Sequence, residues 1–255
     1  MNSKLLHNIS VLLVEDNEMN RLVASTIVQN HGASVTEAEN GKEALELLQT
    51  DTFHLVIMDI HMPVMNGLEA SRYIRENISA SIPIIALTAN ALKGENDNCI
   101  ASGMNDYLTK PFREEDLIRK ISDCLRINMD SETVAEVMDV NDSRLYDLSM
   151  LESVGKGNRE FITRMLNLFI DQVPVSVNEM KEAFESQNLP KIKSIAHRIK
   201  PSIDNMGIIS LKEKIRNIES IAGQGKGNEE LKDLIDVLDN TISKVIAQLV
   251  ANELS

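Results

Sequence analysis

In the first half of the sequence, five side chains able to handle charge sit at or just beyond the ends of short apolar runs. Glu15 and Asp16 follow Ile9–Val14, Asp59 follows Leu55–Met58, Thr88 follows Ile82–Leu87, and Lys110 comes just after Met104–Leu108. Three carboxylates around one lysine form a concentrated negative site whose members repel one another. A hard divalent cation relieves that repulsion, and Mg2+ suits oxygen ligands and retained waters. Asp59 then becomes a candidate nucleophile toward a phosphoryl group. The cation and Lys110 neutralise charge on the phosphoryl oxygens, and the Thr88 hydroxyl bonds one of them. Taken singly, each acid reads as readily as a helix cap or solvated charge as it does as part of a site; Asp16 or Asn17, for instance, can cap a following helix. The recurrence of such residues at successive run ends favours a site.

A second candidate lies in the segment Leu189–Met206. With Ile195 at 0°, Ile199, Ile192, Ile203 and Ala196 fall at roughly 40°, 60°, 80° and 100° around a helix. They form one apolar stripe that faces a core. His197 falls near 200° on the same wheel. It is therefore expected to face solvent, with Lys193 one turn before it and Lys200 one turn after. Alone, it reads as an ordinary exposed histidine. The flanking lysines oppose protonation of the ring, favouring a neutral nucleophile, and can pair with a phosphoryl group once it is attached.

The elements that must position these groups change character near residue 130. Before it, five apolar runs (Ala33–Ala38 is the second) alternate with amphipathic segments near 17–30, 41–50, 66–76, 90–102 and 113–127. That alternation predicts an α/β doubly wound, five-stranded parallel sheet covered on both faces, with ligands bound outside the carboxyl ends of its strands. Val11–Val14 and Leu55–Met58 show no polar alternation, as strands buried on both faces require. Residues 129–142 carry five acids and no base, the composition of a solvated linker. A flexible chain of that length reaches roughly 20 Å, enough to permit contact between the halves.

Beyond the linker only helices are expected. Asn158 caps a segment to Gln172, Pro174 starts another that ends near Asn188, and Leu189–Met206 is stopped by Gly207. Ile208–Ala222 follows, stopped by Gly223, and Asn228 caps a last helix to Ala251. A short helix is expected around 145–153. Short connections make neighbours antiparallel, giving an all-α domain of the four-helix-bundle type. The expected division is 1–128, a linker at 129–144, and 145–255.

At roughly 100–200 residues per domain, 255 residues accommodate two modest domains. The net charge of −13 disfavours nucleic-acid binding. Residues 1–128 hold 11 bases against 18 acids (−7), and the part from Ser143 on holds 15 against 16 (−1), so the bundle is close to neutral. Aromatics are 3% and Trp is absent, so the cores must be aliphatic. No apolar run approaches the roughly 18–20 residues of a membrane span. The N-terminus lacks the basic start, long apolar region and cleavage site of a signal peptide. With no export signal, Cys99 and Cys124 are expected as reduced thiols in the cytoplasm, with no insertion into a membrane.

The motifs Val-Glu-Asp-Asn (14–17), Met-Asp-Ile-His-Met-Pro-Val-Met-Asn-Gly (58–67), Leu-Thr-Ala (87–89) and Tyr-Leu-Thr-Lys-Pro-Phe (107–112) resemble the flavodoxin-like receiver domain of two-component response regulators, over about residues 8–127. The resemblance implies that Asp59 accepts a phosphoryl group. It implies that Glu15 and Asp16 hold Mg2+ directly or through water, and that the backbone carbonyl of His61, not its side chain, completes the ligand set. Thr88 and Tyr107 match a switch pair, and Lys110–Pro111 matches a bond that is often cis. Met58, Met62 and Met65 read as packing. Asn-Glu-Met-Asn-Arg (17–21) looks more like receivers of hybrid kinases than those joined to DNA-binding domains.

The segment Ile195–Gly207 resembles the active helix of histidine-containing phosphotransfer (HPt) domains, a match that extends over about 145–252. His197 corresponds to the phosphoryl carrier, and Lys200 and Ser202 to positions beside it. Pro201 stands where that family has glycine. It removes a hydrogen bond to the His197 carbonyl, and because Ile203 and Gly207 keep register beyond it, a kink is expected rather than an end.

The leading expectation is a phosphorelay protein, with sensor histidine kinases and other receiver or phosphotransfer domains as partners. Two other readings stand beside it. One is a metal-dependent phosphohydrolase using Asp59, disfavoured by His61 where a second acid is common, and marked by turnover of small phosphate esters. The other is a phosphorylation-regulated interaction module with an inert bundle, marked by a His197 that never accepts label. The chain shows no ATP-binding domain of a kinase, so histidine kinase activity is expected only if it is the C-terminal part of a larger hybrid.

Overall fold

The computed structural model describes residues 5–88, 93–127, 144–225, 227 and 229–254. The expected linker, apart from Arg144, and the Asn228 cap lie outside the described residues. The chain divides into two compact units.

In the first unit, five strands alternate with five helices: β1 (Ser10–Val14), α1 (Glu18–Asn30), β2 (Ser34–Ala38), α2 (Gly41–Thr50), β3 (Leu55–Asp59), α3 (Gly67–Asn77), β4 (Ile84–Thr88), α4 (Lys93–Ala101), β5 (Asp106–Thr109) and α5 (Glu114–Leu125). All strand pairs are parallel, in the order β2-β1-β3-β4-β5. The order reverses between β1 and β3, where a doubly wound sheet opens its ligand crevice. The aliphatic residues of β1, β3 and β4 are buried on both faces, as their unbroken apolar runs require. Asp59 and Thr88 are the last residues of their strands, as expected. Met104, expected in the fifth strand, is not in β5 but is buried after α4, its N–H donating to the Cys99 carbonyl at 3.1 Å.

Asparagines start α1, α2 and α3. Asn17, Asn40 and Asn66 accept from Asn20, Glu43 and Glu69 N–H, and Glu69 returns a bond to complete a capping box. Asn17 is thus the cap, which releases Asp16 from that role. Gly67 begins α3 against the end of β3, where a Cβ would lie 2.1 Å from the Asp59 carbonyl oxygen. Register places Asp59 opposite Leu87 and Thr88 opposite Thr109. Glu15 N–H donates to the Ala38 carbonyl at 3.0 Å and Lys110 N–H to the Thr88 carbonyl at 2.7 Å, so the loops leave the sheet along one rim.

The second unit is helical: α6 (Ser149–Gly155), α7 (Arg159–Glu185), α8 (Leu189–Asn205), α9 (Ile209–Gly223) and α10 (Glu229–Glu253). The expected break at Pro174 does not occur; α7 runs straight through it. Phe161, Met165, Phe169, Val173, Val177 and Met180 keep one buried stripe on both sides of the proline. That packing outweighs the one lost backbone bond. Pro201 likewise lies inside α8. Gly223 is the last residue of α9 rather than its stop, and the left-handed backbone falls at Gly225 (φ 72°), while Gly207 (φ 60°) ends α8 as expected. The α8 stripe of Ile192, Ile195, Ala196, Ile199 and Ile203 is buried. Among the described residues no helix is long and apolar enough to cross a membrane.

Replacing Pro174 with Ala restores the missing N–H of α7. The Pro174→Ala variant is expected to gain roughly 1–3 kcal/mol; urea unfolding of the full chain followed by circular dichroism checks this, and a loss of stability contradicts it.

Candidate functional site

The strand-end groups converge. One carboxylate oxygen from each of Glu15, Asp16 and Asp59 lies within 4.8 Å of the others. Glu15 and Asp59 are buried, and Asp16 is half-buried. The ammonium of Lys110 lies 2.6 Å from Glu15 Oε2 and 2.8 Å from Asp59 Oδ2. Burial, and then the Asp59 charge, push the carboxyls of Glu15 and Asp16 above the usual carboxylate range, while Lys110 pulls them back. Burial alone would push the Lys110 ammonium down, but the Glu15 and Asp59 charges outweigh it and hold its pKa above the usual lysine value. The peptide bond between Lys110 and Pro111 is cis.

Two residues support this cluster without belonging to it. Asn20 Nδ2 donates to Glu15 Oε1 at 3.0 Å. Arg21, itself buried, donates from Nη1 to the Glu15 carbonyl at 2.7 Å and pairs with Glu37 of β2 and with Glu39 just beyond it. Both fall in the Asn-Glu-Met-Asn-Arg run noted in the sequence, but nothing there assigned them to Glu15.

Thr88 is fully buried at the end of β4. The His61 side chain is exposed, and its backbone N–H donates to Asp59 Oδ1 at 3.3 Å. Tyr107 is half-buried, with the Lys120 ammonium 5.6 Å from its ring centre; Lys120 also bonds both carboxylate oxygens of Asp106. Met58 and Met62 are buried and Met65 packs against the same core, as packing residues should.

In the second unit the surroundings of His197 differ from the wheel's expectation. The ring is not an open solvent-facing group between two lysines: its side chain is 32% exposed, and Nδ1 lies 2.7 Å from Glu219 Oε1 of α9. Lys200, 13% exposed, puts its ammonium 2.7 Å from Glu219 Oε2, so the carboxylate bridges lysine and imidazole. A single-helix wheel cannot see this, because α9 supplies the missing charge. The stem of Lys193 runs beside Gly223. Ser202 is buried, and Asp204 pairs with Arg216 at 2.8 Å. Burial alone would push the Glu219 carboxyl up, but hydrogen bonds from His197 and Lys200 outweigh it and bring it down to about 2.

A carboxyl held below its ordinary value stabilises the fold above that value and loses the contribution as pH falls through the folded pKa. The stability difference between wild type and Glu219→Gln is therefore expected to be full at neutral pH, roughly 2 kcal/mol. It shrinks between about 4.5 and about 2. Denaturant titrations of both chains across that window check it, and a difference independent of pH contradicts it.

Residues 11–122 match the family model of the response regulator receiver domain, and residues 164–248 match that of the Hpt domain. The sensor protein GacS of Pseudomonas syringae pv. syringae is 29% identical over 246 residues, which are 93% of this chain and 27% of that protein. The aerobic respiration control sensor protein ArcB of Escherichia coli O157:H7 is 34% identical over 222 residues, 83% of this chain and 28% of that protein. The chain thus spans under a third of the length of these curated relatives. Among solved structures, the receiver domain of sensor histidine kinase PA1611 from Pseudomonas aeruginosa PAO1, with a magnesium ion coordinated in its active site cleft, is 39% identical. Its TM-score is 0.44, and the match covers 46% of this chain and 98% of that one.

Proposed function

We propose that this chain, which belongs to the response regulator receiver family over residues 11–122 and to the Hpt family over residues 164–248, is a phosphorelay protein that carries phosphoryl groups on Asp59 and His197. The observation that carries the reading is the convergence of Glu15, Asp16, Asp59 and Lys110 at the carboxyl ends of β1, β3 and β5. In outline, an oxygen of Asp59 forms a bond to phosphorus as the donor's leaving group departs. The Lys110 ammonium, already on the Asp59 carboxylate, neutralises charge on the phosphoryl oxygens. Thr88, at the end of β4, is assigned the hydroxyl that bonds the attached group, with Tyr107 as its switch partner. An imidazole nitrogen of His197, or of a partner's phosphotransfer domain, then takes the phosphoryl group as the acyl P–O bond breaks and the electron pair returns to the carboxylate.

The cluster fits a hard divalent cation, because every side-chain donor in it is a carboxylate oxygen. We assign Mg2+ to Glu15, Asp16 and Asp59, with the carbonyl of His61 as a further ligand. When bound, the ion supplies positive charge that offsets the mutual repulsion of the acids and the charge of the phosphoryl oxygens. The proposed division remains 1–128, 129–144 and 145–255, and the proposed partners are a sensor histidine kinase and other receiver or phosphotransfer domains. The proposed setting is the cytoplasm, where Cys99 and Cys124, both free thiols, stay reduced.

Two experiments test this. Acetyl phosphate with Mg2+ is expected to label the wild-type chain and to leave Asp59→Asn unlabelled; label that survives in Asp59→Asn contradicts the assignment. MgCl2 at about a hundred-fold excess over Kd is expected to stabilise the first unit by roughly 2–3 kcal/mol. The gain should be reversed by EDTA and absent in Asp16→Ala; an equal gain in Asp16→Ala removes that residue from the ligand set.

A further inference from the structure

We infer that Lys120 is a positioning residue for Tyr107: anchored on Asp106, its ammonium holds the aromatic ring in its resting rotamer, and that contact must break before the ring can move. The inference rests on the reading of Thr88 and Tyr107 as a switch pair and adds to it the group that sets the resting position.

The strand register makes the members of that pair neighbours. Tyr107 lies opposite Ala86 of β4, two residues before Thr88. Side chains alternate across a sheet, so Tyr107 and Thr88 belong to one face, and the residue opposite the ring is small. The ring packs in part against the core cluster that includes Met58 and Ala86. Room gained or lost at Thr88 is therefore room gained or lost beside the ring.

What holds the ring is charge. Lys120 of α5 bonds both carboxylate oxygens of Asp106, at 2.7 and 2.8 Å. The Tyr107 backbone N–H donates to Asp106 Oδ1 at 2.8 Å. One carboxylate thus fixes both the ammonium and the backbone of the residue that the ammonium faces. β5 is an edge strand, which lets a side chain from α5 reach the ring. The ammonium lies over the ring, 5.6 Å from its centre. The face of an aromatic ring is negative and attracts a cation. Because Asp106 already holds the ammonium, little side-chain entropy is left to lose in that contact. Lys120 and Asp106 are each 27% exposed, so water screens the contact only in part. A contact made in one state of an equilibrium favours that state by its own free energy, and a ligand that needs the other state binds more weakly by the same factor. For a partly exposed cation over a ring the factor is about two to five.

The test uses the full chain carrying 3-fluorotyrosine, read by 19F NMR, with the Tyr107 signal assigned by its loss in Tyr107→Phe. Beryllofluoride with Mg2+ is the probe for a phosphoryl group on Asp59, with Asp59→Asn as its control. The wild-type signal is expected to move on saturation. In Lys120→Met, which keeps the stem and removes the charge, the resting signal is expected part of the way toward the saturated position. Half-saturation is expected at about two- to five-fold less beryllofluoride. Lys120→Arg keeps a cation and is expected to restore wild-type behaviour. Asp106→Asn removes the anchor and is expected to move the resting signal in the same direction as Lys120→Met. A Lys120→Met chain with the wild-type resting signal and half-saturation overturns the inference, as does one that needs more beryllofluoride. Should Lys120→Met fail to fold, Asp106→Asn decides between the same outcomes. A wild-type signal that stays fixed at saturation contradicts the switch reading instead, and the resting signals of the two chains still report separately on whether Lys120 holds the ring.

Discussion

The first unit depends on one lysine shared by two buried carboxylates. Glu15 and Asp59 come from different strands, and each sits within hydrogen-bond distance of the Lys110 ammonium. Removing each such ion from water costs on the order of several kcal/mol, which only close opposite charge can offset. One ammonium against three carboxylates leaves the cluster short of positive charge, and burial together with the unbalanced Asp59 charge raises the carboxyls of Glu15 and Asp16. A protein that needed only a stable sheet would place apolar side chains here. The retained imbalance makes this rim a place for a cation and for a group whose charge changes during a reaction.

The scaffold is arranged around that imbalance. Parallel strands bring all their carboxyl ends to one side, and the reversal of order between β1 and β3 opens a gap there. Asparagine caps satisfy the starts of α1, α2 and α3, so the acids are not consumed as caps there. Gly67 lets α3 begin against the Asp59 carbonyl. Arg21 ties the loop carrying Glu15 to the end of β2. The second unit meets the same problem with the opposite sign: a single carboxylate, Glu219, holds a lysine and an imidazole at the joint between two helices.

Much of this was legible in the sequence because the signals are local. Unbroken apolar runs ending in acids mark buried parallel strands and their rim, and the α8 stripe placed Ile195 and Ile199 inside. The failures share a physical cause: contacts between elements override rules read within one. Pro174 carries a strong helix-start signal, yet a buried stripe running from Phe161 to Met180 holds α7 continuous across it. His197 points away from its own helix's apolar stripe, but α9 covers that side and brings Glu219, 22 residues further on. Seeing Glu219 from sequence would need the facing angles of two helices at once. Asn20 and Arg21 stood in a run that was noticed, but their bonds to Glu15 depend on the path of the loop.

The central claim is that phosphorus visits a carboxylate and an imidazole in this chain. A 31P spectrum followed in time, with acetyl phosphate and Mg2+ and the phosphorylated chain then separated from excess donor, reads it directly. The account predicts an acyl phosphate signal that is lost in Asp59→Asn. It also predicts a phosphoramidate signal that grows as the first decays and is lost in His197→Ala. A phosphoester signal, or release of inorganic phosphate with neither species ever present, contradicts it.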